Sequence, residues 1–127
     1  MPSTTASVIR SRAIGQVYRC YALVDAGDTA GVTALFASDA VYHRPGYEPM
    51  VGPEQIHAFY SRGRVIKEGV HTVETLLCDG PNISVSGQFI GSLHDDSPLK
   101  LRFADFFEID PEGQIRSRRT FFYTQLA

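Results

Sequence analysis

Asp105 is the residue whose surroundings most invite chemistry. On a strand read over about 99–110, one parity runs Leu99, Leu101, Phe103, Asp105, Phe107, Ile109, and the other Lys100, Arg102, Ala104, Phe106, Glu108, Asp110. Side chains alternate faces along a strand, so Asp105 is the single carboxylate on an apolar face, between two phenylalanines. An isolated charge there is very costly, so the group must be hydrogen-bonded, ion-paired or protonated. Desolvation by Phe103 and Phe107 pushes a carboxyl pKa up. A carboxylic acid kept neutral can donate a hydrogen bond or pass on a proton. The alternative is a buried brace, with Arg119 on the neighbouring strand as its partner.

His71 opens an earlier strand in the run Gly69-Val-His-Thr-Val, on a parity that continues through Val73, Thr75 and Leu77. That places it at the mouth of the same face, where a histidine beside Asp105 would be a base with its orienting partner. Tyr18, Tyr21 and Tyr60 are the phenols expected to face inward, with Phe59 beside Tyr60. Their hydroxyls need partners when buried. His43-Arg44 closes a short strand at what would be the pocket mouth, and His43 is a second candidate base. In Arg116-Ser-Arg118-Arg119, alternation turns Arg116 and Arg118 outward. It leaves Arg119 on one face with Phe121 and Tyr123.

These residues need elements to position them. Residues about 6–26 read as a helix, with Val17, Tyr21 and Val24 at helical spacing, stopped by Gly27. Asp28 is a suitable N-cap for a second helix over about 29–37. A short strand follows over about 39–44, ended by Pro45-Gly46. Gly52-Pro53-Glu54 opens a third helix with proline in its first turn. Its apolar face is Ile56, Phe59 and Tyr60. From residue 70 the period changes to two, giving strands over about 70–78, 83–94, 99–110 and 114–125. Asp79-Gly-Pro-Asn82, Asp95-Asp-Ser-Pro98 and Asp110-Pro-Glu-Gly113 join them. Short connections make this an antiparallel meander, and helices followed by a meander make an α+β plan.

Composition bounds the function. At 127 residues the chain has the length of one domain. Its net charge of −2 argues against a general nucleic-acid binder. No stretch has the length of a membrane span, and the N-terminus lacks the apolar core of a secretory signal. A short arm is expected at about 1–6. Cys20 and Cys78 have no CxxC spacing and read as free buried thiols of a cytoplasmic protein. His43, His57, His71 and His94 form no metal-ligand spacing, and no dinucleotide, Walker or nucleophile-elbow motif is present. Eight Phe and six Tyr without Trp suggest an aromatic-lined pocket wall that desolvates Asp105. Phe106 and Phe122, on the opposite parity, suit a dimer contact.

Two segments carry a family resemblance: YALVDAGDTAGVTALFASDAVYHRPG and FADFFEIDPEGQIRSRRTFF. They resemble the nuclear-transport-factor-2-like superfamily, which includes ketosteroid isomerases and SnoaL-like polyketide cyclases. The likeness extends over about 12–124. It implies a cone-shaped α+β barrel, three N-terminal helices packed on a strongly curved, mostly antiparallel sheet, with a pocket between them. It also implies homodimers paired through the sheet. The isomerases' oxyanion-hole aspartic acid matches Asp105 in Ala104-Asp-Phe-Phe107. Their helix-1 tyrosine falls on Cys20, next to Tyr21. Their general base falls on Arg44, after His43, and an arginine cannot serve as a base at pH 7. The steroid isomerase mechanism is therefore not expected. The superfamily's dehydratases use a histidine after the third helix, which His71 resembles. The second aspartate of its epoxide hydrolases falls at Thr120.

The resulting expectation is a small-molecule enzyme moving a proton next to a carbonyl, by isomerisation, dehydration or cyclisation. Its substrate would be apolar and oxygenated, such as a polyketide or terpenoid ketone. His71 or His43 would be the base, and protonated Asp105 the hydrogen-bond donor, assisted by Tyr18 or Tyr60. Tyr21, Phe59, Phe103, Phe107, Arg119, Phe121 and Tyr123 would line the pocket. No metal or cofactor is expected. The rival is a non-catalytic binding module in which Asp105 is only braced.

Overall fold

Residues 4–123 are described by a computed structural model of the chain. Helix α1 covers Thr4–Asp25. Ala13, Val17, Cys20, Tyr21 and Val24 are buried three or four positions apart, so one stripe of the helix faces inward. Gly27 ends the helix region at φ +72. Asp28 caps α2 (Thr29–Ala34) by accepting the Gly31 amide at 2.9 Å. Strand β1 (Phe36–His43) turns back on the two-residue β2 (Met50–Val51). Helix α3 (Gly52–Ala58) then runs into a π-helical turn over Phe59–Gly63. Four long strands complete the chain: β3 (Ile66–Asp79), β4 (Asn82–Leu93), β5 (Pro98–Ile109) and β6 (Ile115–Phe122).

The sheet order is β2-β1-β6-β5-β4-β3. All neighbours are antiparallel except β1 and β6, which run parallel. The helices cover one face of this six-stranded curved mixed sheet, and the whole is an α+β cone. Its curvature has a local cause. The β3–β4 ladder slips between Ile66 and Glu68 and again between Val73 and Thr75. Each bulge bends and twists its strand. Glycines occupy the partner strand there because the backbones press together. A Cβ on Gly87 would lie 2.1 Å from the Thr72 carbonyl oxygen, and one on Gly91 would lie 2.1 Å from that of Glu68.

Several sequence expectations need correction. The second helix ends at Ala34, and β1 starts at Phe36, three residues before the expected strand. The bulge near Glu74 reverses the parity of β3. His71 and Val73 are partly buried, but Thr75 and Leu77 face out and Leu76 faces in. The third helix unwinds through the π turn, where the Arg64 amide bonds to the Phe59 carbonyl five residues back. Cys20 is buried as expected, but Cys78 is only partly so. The arm expected at about 1–6 falls outside the described residues up to residue 3, and α1 begins at Thr4.

Candidate functional site

Asp105 lies at the middle of β5, opposite Val85 of β4 and Thr120 of β6. It is 0% exposed. Its Oδ2 accepts the Tyr21 hydroxyl at 2.6 Å and Arg118 Nη2 at 3.0 Å, and its Oδ1 accepts the Thr120 hydroxyl. Burial alone would raise its pKa, but the adjacent Arg118 guanidinium and these three donors hold it below the usual carboxylate range. Asp105 is thus an ionised acceptor. The expected protonated donor is overturned: the apolar face that should have neutralised it also delivers a buried cation.

That cation is Arg118, not Arg119. Arg118 is 2% exposed and sits among the Tyr42, Phe107 and Tyr21 rings, 4.8 to 5.6 Å from their centroids. Burial opposes its charge, but Asp105 keeps the guanidinium firmly protonated. Its Nη1 donates to the Tyr60 hydroxyl at 2.8 Å. The inward parity of β6 is Arg118, Thr120 and Phe122. Arg119 stands opposite Phe106 and is exposed, with Phe121 and Tyr123 on the same outer face. These three therefore line no pocket with Asp105. Phe106 and Phe121 instead pack edge to face outside the cone, 5.8 Å apart.

Direction can be followed through the remaining hydroxyls. The single proton of Thr120 goes to Asp105, so at the 3.2 Å contact between Tyr42 and Thr120 the tyrosine donates. Tyr42 in turn accepts from Arg44 Nη1 at 3.0 Å. The protons of Tyr21, Tyr42 and Thr120 all run toward the carboxylate. Tyr60 differs, because it accepts from Arg118 and has no acceptor for its own proton among the described residues. Burial raises the pKa of both Tyr21 and Tyr60, so both remain protonated.

His71 is held by a different carboxylate from the one expected. Asp25, the last residue of α1, accepts His71 Nδ1 at 2.6 Å through Oδ1 and the His71 backbone amide at 2.9 Å through Oδ2. The imidazole packs between the rings of Tyr21, Phe89 and Phe103, with centroids 4.7 to 5.3 Å away. Burial lowers the His71 pKa below its ordinary value, against the opposing pull of Asp25. A neutral ring with its proton on Nδ1 leaves the Nε2 lone pair free.

His71, Tyr60, Asp105, Arg118 and Thr120 line one cavity, together with Arg44, Arg64 and apolar residues that include Phe89, Leu101, Phe103 and Phe122. Its volume is about 20 Å³, room for roughly one water. A larger cavity of about 430 Å³ shares Val24, Tyr60, Arg64 and Ile66 with it. Those four residues line both the small chamber beside Asp105 and the larger one next to it.

The other candidates fall elsewhere. Tyr18 is 49% exposed, because the buried stripe of α1 runs through Val17, Cys20, Tyr21 and Val24 and leaves Tyr18 beside it. His43 follows the buried Tyr42 and borders an outer groove with Arg119 and Phe121. It faces away from Asp105. Phe59 is buried behind the site against Tyr42, Tyr47 and Tyr60. Phe107 packs on Tyr21 and Arg118 rather than on the cavity. Cys20, where the isomerase tyrosine would fall, lies 4.0 Å from Arg118. Burial pushes its thiol up to about 11, which keeps it unreactive. Asp25, Arg44, Arg64, Arg118 and Thr120 were not among the expected site residues. Among the described residues no group of three His, Cys, Asp or Glu side chains could hold a metal ion, and no helix is long and apolar enough to cross a membrane.

The sequence pattern of the SnoaL-like domain matches residues 17–118. No curated protein matches the chain. Among solved structures, SalBIII, an epoxide hydrolase/cyclase-like enzyme in pyran ring formation of the polyether salinomycin, is 19% identical with a TM-score of 0.79, over 90% of this chain and 92% of that one. An epoxide hydrolase of the LEH-like type from M. tuberculosis is 18% identical with a TM-score of 0.78, over 90% and 84%. A candidate polyketide cyclase from Xanthomonas campestris is 18% identical with a TM-score of 0.80, over 90% and 92%.

Proposed function

This chain belongs to the SnoaL-like family of the nuclear-transport-factor-2-like superfamily, and from that premise we propose that it moves a proton at a carbon next to a carbonyl in a small, largely apolar molecule. The carrying observation is the pairing of two polar groups in one cavity. His71 is fixed by Asp25 with Nε2 free, and Tyr60 is polarised by Arg118 with its proton free.

In the first half-reaction the C–H bond breaks and its proton goes to His71 Nε2. The electron pair moves onto the carbonyl oxygen, and the Tyr60 hydroxyl donates a hydrogen bond to that developing oxyanion. Return of the proton to another carbon gives an isomerisation. Its delivery to a departing hydroxyl gives a dehydration. Each group has a physical reason for its role. Asp25 holds the tautomer and stabilises the imidazolium that forms. Arg118, kept charged by Asp105, makes Tyr60 a stronger donor in a dry site. Asp105 positions Arg118 and is not itself a proton donor.

Epoxide opening, the activity named for the M. tuberculosis neighbour, has less support in these residues. Asp105 is committed to three donors, and the group across from it is Thr120 rather than a second carboxylate.

The test uses cyclohexanone as a small enolisable probe. Exchange of its α-hydrogens in D₂O, followed by NMR, is expected to be accelerated by the protein and lost in His71→Ala. Equal exchange by the variant refutes the base. It leaves the second reading, a ligand-binding cone without turnover, which the saturated Asp105 favours.

A further inference from the structure

Around His71 the inner face of the sheet is short of side chains. His71 of β3 stands opposite Phe89 of β4, and the next pair on that face is Gly69 with Gly91. The Phe89 ring lies across this glycine pair. A Cβ on Gly69 would fall 2.6 Å from Phe89 Cε2, and one on Gly91 would fall 2.9 Å from Cε1. Both are well inside the ordinary separation of carbon atoms in contact. Gly87 makes similar room for Phe103, whose Cζ would lie 3.0 Å from a Cβ there. Three glycines thus seat two rings, and both rings pack on the His71 imidazole.

Hydrogen bonds alone do not fix that imidazole. Asp25 is anchored without it, because Oδ2 accepts the His71 backbone amide at 2.9 Å. The ring itself makes one hydrogen bond among the described residues, from Nδ1 to Asp25 Oδ1 at 2.6 Å. The terminal torsion of a histidine has no sharp staggered wells. A single bond therefore lets the ring pivot about its acceptor unless packing stops it. Tyr21 and Phe103 touch it with centroids 4.9 and 5.3 Å away, and Tyr21 is itself tethered to Asp105. Phe89 is nearer, at 4.7 Å, and is 3% exposed.

We propose that Phe89 is the positioning residue of His71: seated on the Gly69–Gly91 pair, its ring holds the imidazole on Asp25 and keeps Nε2 available to the cavity. It touches no reacting atom and acts only through His71. As an account of the base, this rests on the proton-transfer reading. As an account of the imidazole's pose, it does not. The ring also keeps water off the imidazole. The titratable groups that face His71 are Asp25 and Tyr21 on α1, Asp105 on β5 and Arg118 on β6, and none of them is altered when Phe89 is replaced. Loss of the ring admits water against an unchanged set of charges, so the His71 pKa rises.

The test is ¹⁵N NMR of His71 across pH in the unliganded protein. The parent is expected to show the Nδ1–H tautomer and NOEs from the imidazole to the Phe89 ring. Phe89→Leu should raise the His71 midpoint toward or above about 6.5 and lower the share of that tautomer. Gly69→Ala should do the same by pushing the ring off its seat. Ile83→Ala, buried farther along β4, should lower Tm and leave the His71 titration as in the parent. In α-hydrogen exchange, Phe89→Leu should lower kcat by about tenfold or more with a smaller change in KM, because misplacement costs rate. Its acid limb should move up with the NMR midpoint. Absence of exchange in the parent refutes the catalytic reading and leaves this one to the NMR. An unchanged midpoint and tautomer in folded Phe89→Leu overturn the proposal, as does an equal change in Ile83→Ala. If the variants do not fold, the parent decides: missing NOEs between His71 and Phe89, or a predominant Nε2–H tautomer, overturn it.

Discussion

Replacing Asp105 by leucine removes the counter-ion of Arg118 and keeps a side chain of similar volume. The guanidinium then lies 2% exposed, with the Tyr60 hydroxyl and Cys20 Sγ as its remaining side-chain hydrogen-bond partners. Breaking a buried pair from one side costs about 3–5 kcal/mol. The Tyr21 and Thr120 hydroxyls also lose their acceptor, which adds to that cost. For 127 residues the unfolding entropy is about 0.27 kcal/mol/K, so the pair alone corresponds to a Tm loss of roughly 11–19 °C. Thermal and urea unfolding at pH 7 measure it. Arg118→Met should show a similar loss, and the double variant should lose at least about 2 kcal/mol less than the sum, because the two residues form one unit. Arg119→Met, on the outer face, should stay within about 0.5 kcal/mol of the parent. A tolerated Asp105→Leu, or additive Asp105 and Arg118 losses, would refute the buried-pair reasoning. A large Arg119 effect would refute the assigned parity of β6.

His71→Ala should lower proton-transfer turnover by about 10²–10⁴-fold while leaving the fold intact, as read by exchange rate and Tm together. Tyr60→Phe should lower kcat by about 10²–10³-fold with a smaller change in KM, provided the oxyanion contact forms only in the transition state. The acid limb of the rate profile should have its midpoint below about 6.5, the ordinary histidine value, because burial lowers the His71 pKa. Stability should fall in two stages on acidification. A lowered His71 pKa means that the unfolded chain binds a proton first, so stability present above about 6.5 is lost as pH drops toward the folded value. The lowered Asp105 pKa keeps its contribution intact above about 3.9, and that contribution is lost as pH falls through the folded value. Asp105→Leu should abolish the second stage alone in pH-dependent unfolding.

Asp105 was legible because a single carboxylate interrupted an otherwise apolar parity, and parity is local to one strand. Its partner was not legible in the same way. The two parities of β6 each carry an arginine and an aromatic residue, Arg118 with Phe122 and Arg119 with Phe121 and Tyr123. The more aromatic set reads as the buried one, yet register with β5 puts it outside. The helical stripe through Val17, Cys20, Tyr21 and Val24 could have separated Tyr21 from Tyr18, since 100° of rotation already turns Tyr18 off its centre. The order of the elements and the three turns between long strands followed from periodicity and turn chemistry. Bulges gave no such signal, and the one near Glu74 reversed the inferred facing of Thr75 and Leu77. Asp25 was invisible for a different reason. At a helix end it reads as a solvated terminal acid, and its link to His71 spans 46 residues of sequence.

The parallel pairing of β1 with β6 bears on how the chain reaches its native state. The two strands lie more than seventy residues apart, and β6 is made after every other described element. Contacts of such long sequence separation are slow to form. Arg118 and Thr120 both belong to β6, so until that strand docks Asp105 has neither its cation nor one of its two hydroxyl donors. An ionised carboxylate has no reason to leave water without them. The β3–β4–β5 meander can therefore pair early, but the centre of β5 should stay hydrated until the last strand arrives. Closure of the cone and assembly of its polar centre become one event, and a chain halted before β6 would present an open sheet with a wet Asp105 to the cell's folding machinery.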